Sequence, residues 1–355
     1  MRILIAAFAA LLIPACGADA ADTSVGAAPE PASYVRVCDA FGTGYFYIAG
    51  TETCLKVGGY LRMEAAFGDP NDQDTVPGGG GDSWSTRSRL ALRLSSAADT
   101  EYGTLSTYSE AEIENADNGP TSINLENAYL ELGGLRVGYS DTLYAEFTGD
   151  AGNTINDYYD VNYGDFGRTQ IRYTYGEETG LSFALSAEDD SDPDGDADSS
   201  VVADAATADD NYMPDLVAAL GYSADGFRIR AVGGYDESMN AGAVKLRVDG
   251  TLGPVELFAM GGWNTDGSEP NNYARWSGDW ALWVGGTFKM TEKAAMNASA
   301  NFDQGGDAEA ALNMTYTIAP GFTVAPEINY RNRMDDKVGP NAKDWGGVIR
   351  LQRNF

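Results

Sequence analysis

The chain has 355 residues, 53 acidic against 23 basic side chains, a net charge of −30 and no histidine. That charge argues against a nucleic-acid partner, whose backbone needs a basic patch, and the missing histidine removes Ser-His-Asp and Cys-His nucleophiles and histidine zinc sites. A two-carboxylate glycosidase stays formally open, but with so many acids close carboxylate pairs arise by chance.

MRILIAAFAALLIPACGADA opens the sequence. Its apolar run is too short to span a bilayer as a helix, and Ala18-Asp19-Ala20 fits a small-residue cleavage site, so residues 1–20 read as a signal peptide. Cys16 leaves with it. Cys38 and Cys54 remain as an even pair, and an exported chain meets an oxidising compartment, which predicts a bridge. Two idle thiols or a two-cysteine metal site are the alternatives.

Segments with a period of two follow in order. In LKVGGYLRMEA (55–65), Leu55, Val57, Leu61 and Met63 oppose Lys56, Tyr60, Arg62 and Glu64. In RSRLALRLS (87–95), three leucines oppose Arg87, Arg89 and Arg93, and in RTQIRYTY (168–175), Ile171, Tyr173 and Tyr175 oppose Arg168, Gln170 and Arg172. Phe227–Ala231 and Val244–Val248 repeat the pattern, with Arg228, Arg230, Lys245 and Arg247 on the polar side. No helix has this period. About sixteen such strands are expected, over 55–65, 84–96, 102–111, 121–132, 135–141, 168–176, 180–188, 213–223, 226–235, 241–250, 253–263, 276–289, 294–302, 308–317, 322–332 and 344–355.

The connections between them alternate long and short, imperfectly, since two on the long side (236–240 and 303–307) are short. The long ones fall at 66–83, 112–120, 142–167, 189–212, 264–275 and 333–343. The short ones include Gly133-Gly134, Ala224-Asp225-Gly226, MTEK (290–293) and APG (319–321). An all-β transmembrane antiparallel barrel sorts its loops this way, with short periplasmic turns and long outer loops. Its outward face must be apolar and its backbone fully paired. Tyrosines and Trp263, Trp276, Trp280, Trp283 and Trp345 are the expected aromatic girdles. The domain organisation is then a signal peptide (1–20), an N-terminal segment with the disulfide loop (21–54) and the barrel (55–355).

CDAFGTGYFYIAGTETCLKVGGYLRME (38–64), ENAYLEL (126–132) followed by a glycine turn and LRVGYS, and the closing GVIRLQRNF resemble the alphaproteobacterial porins. The resemblance runs over nearly the whole mature chain. It implies a sixteen-stranded homotrimer, a Cys38–Cys54 disulfide, a loop folded into the pore, and a last strand read by the barrel-assembly machinery through Ile349, Leu351 and Phe355. Arg353 departs from the usual aromatic or apolar third-from-last residue.

A porin performs no chemistry, and its selectivity comes from width and fixed charge at a narrow waist. The resemblance assigns the acidic side of that waist to the loop after the fifth strand, here 142–167, with Glu146, Asp150, Asp157, Asp160 and Asp165. The basic wall facing it is expected from Arg62, Arg87, Arg89, Arg93, Arg136, Arg168 and Arg172. No cofactor is expected, although the loop carboxylates are a candidate for Ca²⁺, which takes many oxygen ligands; no EF-hand spacing is present. The acid-rich stretch 188–211 reads as a solvated outer loop, and GGGG (78–81) as a loop tip without a P-loop lysine.

The sequence therefore predicts a general diffusion porin of a Gram-negative outer membrane, surrounded by lipid and lipopolysaccharide, with no nucleic-acid partner and no enzymatic activity. The rivals are a substrate-specific channel of the same fold and a secreted acidic β-sandwich. The net charge suggests mild cation preference, which the arginine wall could offset.

Overall fold

The computed structural model describes residues 36–68, 84–155, 161–176, 179–189, 213–267, 271–334 and 342–355. A single turn of 3-10 helix (Asp39–Phe41) and a short strand, β1 (Phe46–Tyr47), precede the barrel strands. These are β2 (Cys54–Phe67), β3 (Trp84–Thr100), β4 (Gly103–Ala116), β5 (Thr121–Leu132), β6 (Leu135–Asp141), β7 (Gly167–Gly176), β8 (Gly180–Glu188) and β9 (Asp215–Ala224). They continue as β10 (Phe227–Asp236), β11 (Ala241–Leu252), β12 (Val255–Asn264), β13 (Trp280–Lys289), β14 (Ala294–Asp303), β15 (Ala308–Ala319), β16 (Phe322–Arg333) and β17 (Ala342–Asn354). One helical turn, α1 (Leu143–Glu146), lies between β6 and β7.

Each barrel strand pairs antiparallel with its neighbours in the chain, and β17 pairs with β2 to close a sixteen-strand ring. Closure leaves no unpaired edge, as a sheet in lipid requires. The alternation of the sequence becomes the two faces of the wall. Leu61 and Met63 on β2, Ile171 and Tyr173 on β7, and Leu312 and Met314 on β15 point outward and are exposed, whereas Glu64, Gln170, Arg172 and Asn313 point inward and are buried.

Cys38 and Cys54 are disulfide-bonded. The bridge holds β1 to the start of β2, where Phe46 pairs with Leu55 and Tyr47 with Cys54. Farther along the same strand, Tyr60 pairs with Asn354 of β17, and Gly59 and Phe355 exchange backbone hydrogen bonds of 3.1 and 3.0 Å. β1 thus extends the line of β17 on the edge of β2 below the last barrel rung. Nothing in the period-two pattern announced this two-residue strand.

The strand spans agree with those expected to within a few residues, with three informative exceptions. β4 runs on to Ala116, so the connection expected to be long at 112–120 shrinks to residues 117–120. β3 runs on to Thr100, ending in a two-residue turn at Glu101-Tyr102. β13 begins at Trp280 and not at 276. Residues 271–276 fold into the barrel, where Tyr273, Ala274 and Trp276 are buried. The expectation that Trp276 and Trp283 belong to a lipid-facing girdle is corrected accordingly: both are buried in the lumen, their rings 5.4 Å apart. On β13 Trp280 and Leu282 take the outward phase, which leaves Ala281 and Trp283 inward. Trp263, Trp280 and Trp345 are exposed on the outer surface.

The barrel is not uniformly water-filled. An apolar cluster occupies the lumen against β8 to β13. Small inward residues (Ala184, Ala219, Ala243, Ala281) make room there for Tyr144, Tyr163, Tyr273 and Trp283.

Candidate functional site

The loop between β6 and β7 enters the lumen at once. Thr142 caps α1, its Oγ1 accepting from the Tyr144 N–H at 3.2 Å. The same hydroxyl donates to Glu188 at 2.6 Å, and Glu188 also accepts from the Leu143 N–H and the Tyr273 hydroxyl. A buried carboxylate satisfied three times over is a rigid anchor. From there the loop follows the inner wall. Arg230 donates to the Phe147 carbonyl at 3.1 Å, and Arg247 to the carbonyls of Gly149 and Asp150. Asn153 donates to Thr287 at 2.9 Å, and the Ile155 N–H to Glu327 at 2.5 Å. On the return, Trp283 Nε1 donates to the Val161 carbonyl at 2.7 Å and Lys245 Nζ to the Tyr163 carbonyl at 2.6 Å. The Lys245 ammonium lies 4.1 Å from the Tyr144 ring centroid, so cation–π attraction replaces part of its lost hydration.

Two open spaces adjoin this loop, the smaller of them reaching the wall of β2, β3 and β17. Arg62, Arg87, Arg89, Arg350, Glu114 and Asp150 line a cavity of about 820 Å³ together with the 152–155 backbone. A larger space of about 1360 Å³, lined among others by Arg136, Glu146, Arg172, Arg228 and Asp249, adjoins it.

The arginine wall is largely neutralised by carboxylates in its own strands. Arg87 pairs with Glu64 at 2.6 Å, Arg89 with Glu112 and Glu114 at 2.6 Å each, and Arg93 with Glu110 at 2.8 Å. Glu64 also takes Arg350. Arg62 differs: its Nε donates to the Gln352 amide oxygen at 2.8 Å, its guanidinium lies over the Tyr60 ring, and it makes no ion pair among the described residues.

The loop carboxylates do not act alike. Glu146 sits on the wall side, bonded to Arg136 at 2.9 Å and Arg172 at 2.7 Å, so these three form one cluster and do not face each other across an opening. Asp165 is half-buried near the end of the loop. Burial, with repulsion from Asp150 added, pushes its carboxyl above the ordinary range. Asp150 lines both cavities and makes no ion pair among the described residues. Arg168 is buried beside the Phe166 ring. Asp157 and Asp160, like residues 1–35 and most of the acid-rich 188–211 stretch, lie outside the described residues. Among those described, no group of three or more His, Cys, Asp or Glu is arranged to hold a metal ion.

Sequence reading put Arg230, Lys245, Arg247 and Arg350 on inward faces without giving them a role. Their strand phase was legible, but their depth and their reach to the loop were not.

A closed barrel with an apolar exterior, a polar lumen and a narrowing loop defines an outer-membrane diffusion channel. The porin subfamily model matches residues 22–349, and the chain belongs to that family. It is 37% identical over 369 residues to porin Omp2b of Brucella neotomae, covering all of this chain and 99% of the relative. Among solved structures it is similar to the outer membrane channel DcaP of Acinetobacter baumannii (TM-score 0.66, 18% identity, 87% of this chain and 99% of that one). It is also similar to Salmonella typhi OmpF in complex with daunomycin (TM-score 0.59, 12% identity, 86% and 98%). The protein is thus a multi-pass β-barrel of the Gram-negative outer membrane and a general diffusion channel.

Proposed function

We propose that the waist of this channel is the opening between the 149–155 backbone and the β2–β3–β17 wall, with Asp150 and Arg62 as its open charges. One observation carries this reading: both side chains line the same cavity, and neither has an ion-pair partner among the described residues. Five basic and three acidic side chains line that opening. Its field therefore differs from what a net charge of −30 suggests. Small hydrophilic solutes and ions pass down their gradient, chemically unchanged; the missing histidine and the absence of a nucleophile motif support a channel without catalytic activity.

The channel acts as a homotrimer. Ser88, Ser96, Thr107, Ser109 and Asn115 share the outward face of β3 and β4, where Ser88 pairs with Asn115 and Ser96 with Thr107. An outward face this polar is better covered by a second copy than by lipid. Elsewhere the barrel meets lipid, with lipopolysaccharide in the outer leaflet. The outward Ile349 and Leu351 of β17, with Phe355 just after it, present the signal for the barrel-assembly machinery.

The test is single-channel recording of the purified protein in a planar bilayer. Ohmic steps that close in threes and do not saturate with solute are expected. Folded, inserted protein without conductance overturns the pore, saturable currents favour a substrate-specific channel, and closure in single independent steps overturns the trimer.

A further inference from the structure

A second loop enters the lumen. Between β12 and β13, Asn271, Tyr273 and Ala274 are fully buried and Trp276 nearly so. They pack against the constriction loop from above. The Tyr273 ring lies 5.2 Å from Tyr144 of α1 and 5.8 Å from Phe166, where the loop rejoins β7. Its hydroxyl donates to Glu188, the carboxylate that also holds Thr142 and Leu143. Trp276 stacks edge-on against Trp283, whose indole N–H holds Val161. Tyr273 thus touches both ends of the constriction loop, and Trp276 touches the residue that holds its return limb.

The barrel wall is shaped for these two rings. A Cβ on Gly234 of β10 would lie 2.5 Å from the Tyr273 ring, and one on Gly262 of β12 would lie 2.7 Å from Trp276. Real Cβ atoms do not approach that closely. The two inward glycines form cradles that any other residue would fill. Further bonds fix the loop at its base: the Asn272 N–H donates to Asp236 at 2.9 Å, and Asn271 Nδ2 to Asn264 at 2.9 Å.

We infer that the 271–276 segment is a wedge that sets the position of the constriction loop, with Tyr273 and Trp276 as positioning residues for conduction although neither lines the opening. This rests on the waist assigned above but is separable from it. The loop ends where its anchors put it, and the Tyr273 ring packs on both Tyr144 of α1 and Phe166. Without the ring, Glu188 keeps its two loop bonds, yet the space over Tyr144 empties and the loop gains freedom to move.

The experiment is single-channel recording of Tyr273→Ala, Tyr273→Phe and Gly234→Ala proteins that retain the heat-modifiable gel shift of a folded barrel. Tyr273→Ala is expected to raise mean conductance and introduce sub-conductance steps and open-channel noise, while Tyr273→Phe stays near wild type. Gly234→Ala should reproduce the alanine phenotype by displacing the ring with one methyl group, and it decides the matter if Tyr273→Ala does not assemble. Wild-type conductance and noise in folded Tyr273→Ala, or in folded Gly234→Ala, would overturn the wedge. Should the wild-type channel respond to charge changes at Asp150 while these variants do nothing, the waist stands and only the wedge falls.

Discussion

Arg62 and Asp150 face the same opening from opposite parts of the wall, Arg62 from β2 and Asp150 from a loop pinned to β11. Register explains why Arg62 is unneutralised: its neighbours across the strands are Arg89 on β3 and Gln352 on β17. Its fellow arginines sit directly opposite carboxylates. Unpaired charges in a narrow aqueous passage dominate its field, because paired ones cancel at a distance. Arg62→Gln should therefore move the reversal potential in a salt gradient toward cations. Asp150→Asn should move it toward anions. Arg93→Gln removes the same unit of charge, but neither Arg93 nor Glu110 lines the opening, so it should shift it toward cations less than Arg62→Gln.

Glu146 is shared by two guanidiniums. Glu146→Gln leaves Arg136 and Arg172 beside each other with an amide that offers one acceptor and two donors. The loss is expected to be about 1–3 kcal/mol, the scale of hydrogen bonds to charged groups. It should register as a lower thermal midpoint in detergent, with a shift toward anions in the reversal potential.

The outward face can be tested at Leu312, which is exposed in mid-β15 opposite Ala298 and Ile328. Leu312→Arg should cost about 2–4 kcal/mol in a bilayer if it lies at the midplane. Refolding into liposomes across a denaturant series would measure it. A negligible loss would mean that this face does not contact hydrocarbon.

The Cys38–Cys54 bridge closes a loop of sequence separation 16. Loops of about 15 residues are worth roughly 3 kcal/mol on the chain-entropy scale. Reductant, or Cys54→Ser, should lower the thermal midpoint and leave conductance unchanged, since the bridge lies at the rim and outside the opening.

Much of this architecture was legible in the residues. The period of two located the strands, and loop lengths separated the two rims in part: the connections 117–120, 237–240 and 304–307 are as short as the 290–293 turn on the other rim. The salt-bridged wall was also within reach. The turn at Glu101-Tyr102 fixes the β3–β4 register, and that register puts Arg89 opposite Glu114 and Arg93 opposite Glu110. Reading the arginines strand by strand, without their partners, leaves a salt-bridged wall and an open basic wall equally available. The inward course of 271–276 could not be read, because Asn, Tyr, Ala and Trp in a loop look alike whether they face solvent or lumen. Its one trace was a pair of glycines, Gly234 and Gly262, on the inward phase of β10 and β12. Trp276 and Trp283 were misplaced for the same reason: strand phase and depth need a register before an aromatic can be assigned to a face.

The most direct measurement of the waist is to place a thiol at Asp150 and add a bulky thiol-reactive cation while recording single channels. Asp150→Cys should lose conductance in discrete steps as each copy is labelled, with Arg62→Cys behaving alike. Complete labelling by mass with unchanged current would contradict a waist between Arg62 and Asp150.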